Sequence, residues 1–148
     1  MEWWVMAIII FILLGFHVES EGCLKEEKET LLKLKEAFNY PITGSSLSSW
    51  SNLTLSDCCT WEAVECDNST KRVIRLHLSD TRAYELRDIK WSLNISSFLP
   101  LHQLQGLGLR GNYLSGLSGD IKLTNLEWLD LGDNKLTEVP SFGDKSVF

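Results

Sequence analysis

Leucines in the second half of the chain recur at fixed intervals, and an asparagine follows each group of them. The pattern L-x-x-L-x-x-L-x-L-x-x-N-x-L begins at Leu101 and returns 22 residues later at Leu123. The two copies match position by position: Leu101, Leu104, Leu107, Leu109, Asn112 and Leu114, then Leu123, Leu126, Leu129, Leu131, Asn134 and Leu136. Leucines two positions apart lie on one face of a strand. Each copy therefore predicts a short strand, followed by an inward turn whose buried backbone groups an asparagine amide can satisfy.

The length of this period indicates the type of fold. A self-similar period in the twenties is typical of leucine-rich repeats, which stack because one repeat cannot bury its leucines alone. We predict an α/β solenoid, a leucine-rich-repeat horseshoe segment with about three repeats over residues 72–140. Leu76 and Leu78 predict the first strand, but the next pair begins 31 residues after Leu76, at Leu107. The first repeat is thus expected to be irregular, with a surface loop within residues 79–97.

A continuous apolar run from Val5 to Phe16 predicts a secretory signal peptide over residues 1–20. The run is too short to span a bilayer comfortably. Because the residues before it contain no Lys or Arg, an uncleaved membrane anchor is the alternative. No later stretch is apolar and long enough to span a membrane. We expect a product that is secreted, or that lies on the cell-wall side of the plasma membrane, with no anchor after the signal.

Between Cys23 and Asn39, apolar residues at helical spacing predict an amphipathic helix, with Lys and Glu on its other side. The predicted apolar side consists of Leu24, Leu31, Leu34 and Phe38. Tyr40 and Pro41 are expected to end the helix. A solenoid has an open apolar end that needs a polar cap. We therefore assign residues 21–71 to a disulfide-tied helical N-terminal cap.

Four cysteines lie in this cap: Cys23, Cys58, Cys59 and Cys66. An even number behind a secretory signal indicates disulfide bonds. Adjacent cysteines are poorly placed to bond each other, because the Cα atoms of a usual disulfide lie at least ~4.4 Å apart. We favour Cys23–Cys58 with Cys59–Cys66, and the alternative is Cys23–Cys59 with Cys58–Cys66. A zinc site is disfavoured by the C-C-x6-C spacing and the oxidising compartment.

Composition and charge argue against several functional classes. The 148 residues carry a net charge of −6 and no basic run, so nucleic acid is not an expected partner. Gly106–Gly111 matches G-x-G-x-x-G, but the strand leucines lie among these glycines, which disfavours a dinucleotide site. His77 has no nucleophile placed beside it, and Glu62, Glu65 and Asp67 fit a solvated turn. We predict no enzyme activity, no metal and no cofactor.

Further motifs make the identity of the cap more specific. They are Glu26–Lys28 and Leu31–Lys35 of the helix, Leu47–Trp50, Asp57–Cys66 and Arg72–Leu78. In this order they resemble the N-terminal cap of plant leucine-rich-repeat receptors. The resemblance is strongest to the receptor-like proteins, which have an ectodomain and a membrane anchor but no kinase, and it covers residues 1 to about 140.

The resemblance implies that Trp50 and Trp61 pack the cap onto the first repeat. The family usually has Gly at the position of Ala63, and Ala would strain this turn by ~1–2 kcal/mol if the site needs a positive φ. The final segment, residues 141–148, is too short to finish a repeat, and the family's anchor is missing. We therefore expect a truncated member of the family.

Three N-glycosylation sequons begin at Asn52, Asn68 and Asn94, and we expect at least one to be occupied. In a horseshoe, the outward side chains of the strands line the concave face. Those expected to form the binding face are Arg75, His77, Arg110, Trp128 and Asp130, with Ser79, Gly106, Gly108 and Gly132 between them. We expect Trp128 to be exposed and to anchor a partner. The alternative is that it leans over its neighbours.

The function implied by the resemblance is ligand recognition by a plant cell-surface receptor-like protein in defence or developmental signalling. A peptide, glycan or protein would bind the concave face, and a receptor kinase co-receptor would pass on the signal. The alternative is a secreted protein that inhibits a wall-degrading hydrolase, similar to polygalacturonase-inhibiting proteins.

Overall fold

The structure is a computed structural model that describes residues 22–42, 46–120, 122–138 and 146–147. The predicted signal peptide and most of residues 141–148 lie outside the described residues. The described part contains one α-helix, α1 (Lys25–Asn39), and seven strands: β1 (Val64–Cys66), β2 (Val73–His77), β3 (Ser92–Asn94), β4 (Gly106–Gly108), β5 (Gly116–Ser118), β6 (Trp128–Asp130) and β7 (Ser146–Val147).

Helix α1 buries the apolar side that its sequence predicts, with one exception. Leu31, Leu34 and Phe38 are at most 2% exposed. Leu24 is 44% exposed, so its assignment to the apolar side was wrong. It occupies the N-cap position and therefore lies ahead of the first helical turn. The helix ends at Asn39, just before Tyr40 and Pro41 as predicted, because proline cannot continue a helix.

The larger sheet brings equivalent leucines of successive repeats side by side. Its strand order is β1, β2, β4, β6 and β7, with β1 antiparallel to β2 and the other pairs parallel. The register aligns Leu76 with Leu107 and Leu107 with Leu129, and all three are fully buried. This is the arrangement that the leucine spacing predicts, and each buried leucine contributes about 1.5–3 kcal/mol. The curvature of a longer horseshoe stays a prediction.

A second, two-stranded sheet corrects the prediction of a surface loop within residues 79–97. Strand β3 pairs in parallel with β5, aligning Leu93 with Leu117. A short 3-10 helix, Ile95–Phe98, follows β3 and buries Ile95 and Phe98 in the core. The extra residues of the first repeat are therefore buried at Leu86 and again from Leu93 onward, whereas Tyr84 and Ile89 lie on the surface.

The two repeat asparagines make the same set of hydrogen bonds one repeat apart. The Asn112 side chain is fully buried, accepts from the backbone N–H groups of Thr81 and Arg82, and donates to the carbonyls of Leu78 and Leu109. Asn134 repeats this pattern and accepts from the N–H of Asn112 at 3.0 Å. Each amide thus satisfies buried backbone groups of its own turn and of the preceding one, which is the role its position predicts.

Disulfides and tryptophans hold the cap together. Cys23 is bonded to Cys58 and Cys59 to Cys66, with Cα–Cα distances of 5.7 Å and 5.5 Å. This is the pairing that the sequence analysis favours. The rings of Trp50 and Trp61 stack at 5.7 Å between centroids, and both residues are almost completely buried within the core. Burying two large aromatic rings in this way stabilises the packing of the cap.

Candidate functional site

One surface of the larger sheet carries the residues of the predicted binding face. The strand register places Arg75, Gly106 and Trp128 side by side, and likewise His77, Gly108 and Asp130. The leucines between them are buried, so these residues share the opposite side of the sheet. We term this surface the sheet face, and its members are Arg75, His77, Arg110, Trp128 and Asp130.

The Trp128 indole lies across the glycines of the neighbouring strand. A Cβ added to Gly106 would lie 2.4 Å from Trp128 Cε2, and one added to Gly108 would lie 3.6 Å from its Cη2. The ring therefore occupies the space that a side chain at Gly106 would fill, and it lies at ordinary contact distance from a Cβ at Gly108. Trp128 is partly buried and leans over its neighbours, which is the alternative that the sequence left open. Its role as an anchor for a partner stays a prediction. The two glycines are buried and do not form an open flat patch.

A carboxylate from the cap joins the two cap-side residues of the sheet face. Glu65 accepts a hydrogen bond from Arg75 Nη1 at 2.6 Å, and its other oxygen lies 3.2 Å from His77 Nε2. The hydrogen bond with His77 lowers the pKa of Glu65, and the Arg75 charge acts in the same direction. The His77 ring in turn lies 6.3 Å from the Trp128 ring, centroid to centroid. These contacts thus form one continuous row of side chains across β1, β2, β4 and β6, made of Glu65, Arg75, His77 and Trp128.

The other end of the sheet face combines an ion pair with a carboxylate that caps a turn. Arg110 Nη2 pairs with Asp133, and both side chains are more than half exposed. Asp130 accepts a hydrogen bond at Oδ1 from the N–H of Gly132 at 2.9 Å. This contact fixes the Asp130 carboxylate close to the strand, two positions from Trp128.

An open cleft of about 590 Å³ adjoins the sheet face on the cap side. It is lined by Ser46, Leu47, Ser48, Glu62, Ala63, His77, Asp80 and Thr81. His77 belongs to both surfaces and connects them. The cleft lining includes two carboxylates and no Lys or Arg. Sequence reasoning missed the cleft because its walls come from the cap and from the first repeat, far apart in the chain.

The third carboxylate of the cysteine loop has a structural role. Asp67 Oδ1 accepts hydrogen bonds from the backbone N–H groups of Ser69 and Thr70 and from both hydroxyls. These bonds favour the charged form and lower the pKa of Asp67 to about 2. Glu65 is thus part of the candidate site, whereas Asp67 stabilises the turn that leads into β2.

The three sequon asparagines differ in what their side chains do. Asn52 and Asn68 are exposed, and neither side chain makes a hydrogen bond within the described residues. Asn94 is also exposed, but its Oδ1 accepts from the N–H of Ser96 at 3.0 Å, and the Ser96 hydroxyl contacts the carbonyl of Asp120. Glycosylation at all three positions stays a prediction.

Two buried charged residues were not found by sequence reasoning. Glu27 of α1 is 1% exposed, accepts from the N–H groups of Leu24 and Val73, and lies 3.5 Å from Arg72 Nη1. Arg82 is 3% exposed and donates to the carbonyl of Phe38 at 2.9 Å. Both link the cap to the first repeat. Their partners are distant in the chain, so no local pattern could have identified them.

The described residues contain no group of His, Cys, Asp and Glu that could hold a metal ion. No helix among them is long and apolar enough to cross a membrane. The sheet face presents an indole, two guanidinium groups, an imidazole and carboxylates, arranged on strands. Such an arrangement can bind a ligand by stacking, hydrogen bonds and charge.

Comparisons with known proteins agree with these structural features. The leucine rich repeat N-terminal domain family matches residues 24–67. Receptor-like protein 9a of Arabidopsis thaliana is 37% identical over 143 residues, which covers 90% of this chain and 14% of that protein. Receptor-like protein 14 of the same plant is 33% identical over 148 residues, with 88% and 14% covered. Receptor-like protein 56 is 30% identical over 142 residues, with 86% and 14% covered.

Among solved structures, the crystal structure of a plant ice-binding protein aligns with a TM-score of 0.47 and 29% sequence identity, covering 77% of this chain and 42% of that one. The chain spans 14% of the length of the receptor-like protein it matches at 37% identity. These relatives carry receptor names rather than enzyme names. The predicted resemblance is therefore confirmed: the chain is similar to plant receptor-like proteins over most of its length, and its residues 24–67 match the leucine rich repeat N-terminal domain.

Proposed function

We propose that this chain is an extracellular ligand-recognition segment of a plant cell-surface receptor-like protein in defence or developmental signalling. The observation that carries the proposal is the sheet face. Parallel strands of successive repeats bury their leucines on one side and present Arg75, His77 and Trp128 on the other. Side chains held on strands are positioned more rigidly than those on loops, and Trp and Arg are frequent interface anchors.

In this proposal, residues 1–20 direct secretion, residues 21–71 form the cap, and residues 72–140 form about three repeats of a horseshoe. The sheet face then lies on the concave side. Glycans on the exposed Asn52 and Asn68 would cover the outer surface of the cap, away from the strands β4 and β6. This division of surfaces keeps the sheet face open to a ligand.

The ligand is a peptide, a glycan or a protein, and a receptor kinase co-receptor carries the signal inward. Binding rather than catalysis is supported by the chemistry of the sheet face. Its one imidazole is paired with a carboxylate and lies beside an indole, and no hydrogen bond joins it to a Ser, Thr or Cys side chain among the described residues.

The test is a binding screen with the full chain, secreted from plant cells and purified. The purified chain and two charge-reversal variants are applied in parallel to arrays of secreted plant peptides and cell-wall oligosaccharides. Asp130→Arg alters the sheet face, and Glu29→Lys alters the outer side of α1, where Glu29 is 55% exposed. We expect specific array signals that Asp130→Arg reduces at least about tenfold and Glu29→Lys leaves unchanged, since ~1.4 kcal/mol of lost affinity is tenfold.

Two outcomes contradict the proposal. The first is array binding that both variants retain equally, since the sheet face would then take no part in it. The second is inhibition of a fungal polygalacturonase by the purified chain, which would favour the hydrolase-inhibitor function. Thermal unfolding of each variant serves as the control for folding.

A further inference from the structure

The sheet face and the residues that surround it together carry an excess of negative charge that their ion pairs do not neutralise. Arg75 is paired with Glu65, and Arg110 is paired with Asp133. Asp130 forms no ion pair within the described part of the chain, and its Oδ2 accepts no hydrogen bond there. The Arg110 guanidinium is nearby, since a Cβ added to Gly132 would lie 2.9 Å from Arg110 Nη1 and 3.1 Å from Asp130 Oδ1, but it is paired with Asp133. Asp80, which lines the cleft together with His77, likewise forms no ion pair among the described residues. Two carboxylates thus remain available to an incoming positive charge.

The Trp128 indole lies next to one of these carboxylates. The ring lies against Gly106 and Gly108, its centre is 6.3 Å from the centre of the His77 ring, and part of the residue remains accessible to solvent. Asp130 is two positions along β6 on the same side of the sheet, a separation of roughly 7 Å along a strand. A cation over the ring would therefore also meet the Asp130 carboxylate. Tryptophan is the best of the aromatic side chains for such a contact.

We propose, resting on the function proposed above, that the sheet face binds a basic peptide. A Lys or Arg side chain of the peptide lies on the Trp128 indole and pairs with Asp130. The peptide continues past His77 toward the cleft lined by Glu62 and Asp80, where a second basic group finds further carboxylates.

The charge of the surface favours this occupant over the other ligand classes. An acidic oligosaccharide would meet the unpaired carboxylates and be repelled. A neutral oligosaccharide could stack on Trp128, but it would leave Asp130 and Asp80 without a counter-charge. A basic peptide can place a cation on the Trp128 ring and also neutralise the carboxylates. Like-charge repulsion on this surface discriminates against acidic ligands.

The test uses the full chain and a fluorescein-labelled Gly/Ser peptide with interspersed arginines. The control peptide carries citrulline in place of each arginine, which removes the charge and keeps the shape. Binding is measured by fluorescence anisotropy at low and near-physiological ionic strength. We expect the arginine peptide to bind about tenfold more tightly than the citrulline peptide, and to weaken as salt rises.

Two variants test whether the Trp128 ring and the Asp130 carboxylate each contribute to binding of the arginine peptide. Trp128→Ala should weaken binding of the arginine peptide about two- to thirtyfold, the range of a cation–π contact. Asp130→Asn keeps the oxygen that accepts from Gly132 and removes only the charge, so we expect a loss of about two- to fivefold without a loss of folding. The matched control, Glu29→Gln, removes a charge from the outer side of α1 and should change nothing.

Equal binding of the arginine and citrulline peptides would overturn the inference, as would unchanged affinity in a folded Asp130→Asn variant. A neutral xylo-oligosaccharide is tested in parallel. If it binds in a Trp128-dependent manner and the arginine peptide does not, the basic-peptide inference fails while the proposed recognition function stands. If neither probe binds and the array screen is also negative, both proposals fail.

Discussion

At the scale of the residue, Ala63 stands at the turn that enters β1 and holds a left-handed backbone conformation. Its φ is 63°, and its carbonyl accepts from the N–H of His77 at 2.9 Å, so the pairing of β1 with β2 fixes this geometry. A Cβ in this region costs about 1–2 kcal/mol, because it approaches the following carbonyl oxygen. Glycine removes this strain but loses about 0.5–1 kcal/mol more chain entropy on folding.

We therefore predict that Ala63→Gly raises the free energy of unfolding by about 0.5–1 kcal/mol, the difference between these two effects. The measurement is urea unfolding followed by tryptophan fluorescence, which the buried Trp50 and Trp61 report. The control is Ala37→Gly, at an exposed position of α1, which should lower the free energy of unfolding by about 1 kcal/mol. Equal destabilisation by both changes would show that the Ala63 backbone carries no strain.

At the scale of the element, the last turn of α1 is stabilised by a residue of the first repeat. The helix has no basic residue in its own last turn. Arg82 supplies the positive charge instead, because its Nη1 donates to the carbonyl of Phe38 at 2.9 Å and its guanidinium lies 4.4 Å from the centre of the Trp91 ring. A cation at this end of a helix also interacts favourably with the helix dipole.

We predict that Arg82→Met destabilises the fold by about 1.5–3 kcal/mol, since a buried carbonyl loses a charged donor. Arg82→Lys should retain only part of the stability that Arg82→Met loses, because an ammonium group lacks the planar surface that stacks on Trp91. Hydrogen exchange of the amides in the last turn of α1 would rise in both variants. Lys33→Met, at an exposed position of α1, serves as the control, and a similar loss there would mean that Arg82 has no special role.

The sequence predicts an element only where its own residues show a recognisable pattern of apolar positions. Strands β2, β4 and β6 were predicted because Leu76, Leu107 and Leu129 recur within a repeating pattern, and they lie side by side. Strands β3 and β5 were missed because their single leucines, Leu93 and Leu117, lie outside the repeating leucine pattern. With so few apolar positions, no alternation distinguishes a strand from a loop.

The candidate site shows the same limit. Strand register predicts that the sheet-face residues share one side of the sheet, and Arg75, His77, Trp128 and Asp130 occupy alternate positions of strands β2 and β6, whereas Arg110 lies beyond the end of β4. It did not predict the orientation of Trp128, because the indole occupies space that any side chain at Gly106 of the neighbouring strand would fill. Nor did it identify Glu65 as the partner of Arg75 and His77, since that contact depends on how β1 pairs with β2.

At the scale of the whole molecule, two disulfides of very different span hold the cap together. Cys23–Cys58 joins residues 35 positions apart and fixes the start of α1 against the turn before β1. Cys59–Cys66 joins residues 7 positions apart and closes only the local loop. In the chain-entropy account, a cross-link stabilises by restricting the unfolded chain, and a longer loop is restricted more.

We therefore predict that removing Cys23–Cys58 with a double alanine substitution costs roughly 4 kcal/mol, and removing Cys59–Cys66 roughly 2.5 kcal/mol. Cys58 is fully buried, whereas Cys59 is only partly buried, so lost packing increases the difference further. The measurement is urea unfolding of both double variants under non-reducing conditions, next to the unmodified chain. A short-loop variant that proved as unstable as the long-loop one would contradict this account. It would mean that the cap is held by the turn from Cys59 to Cys66 rather than by the anchoring of α1.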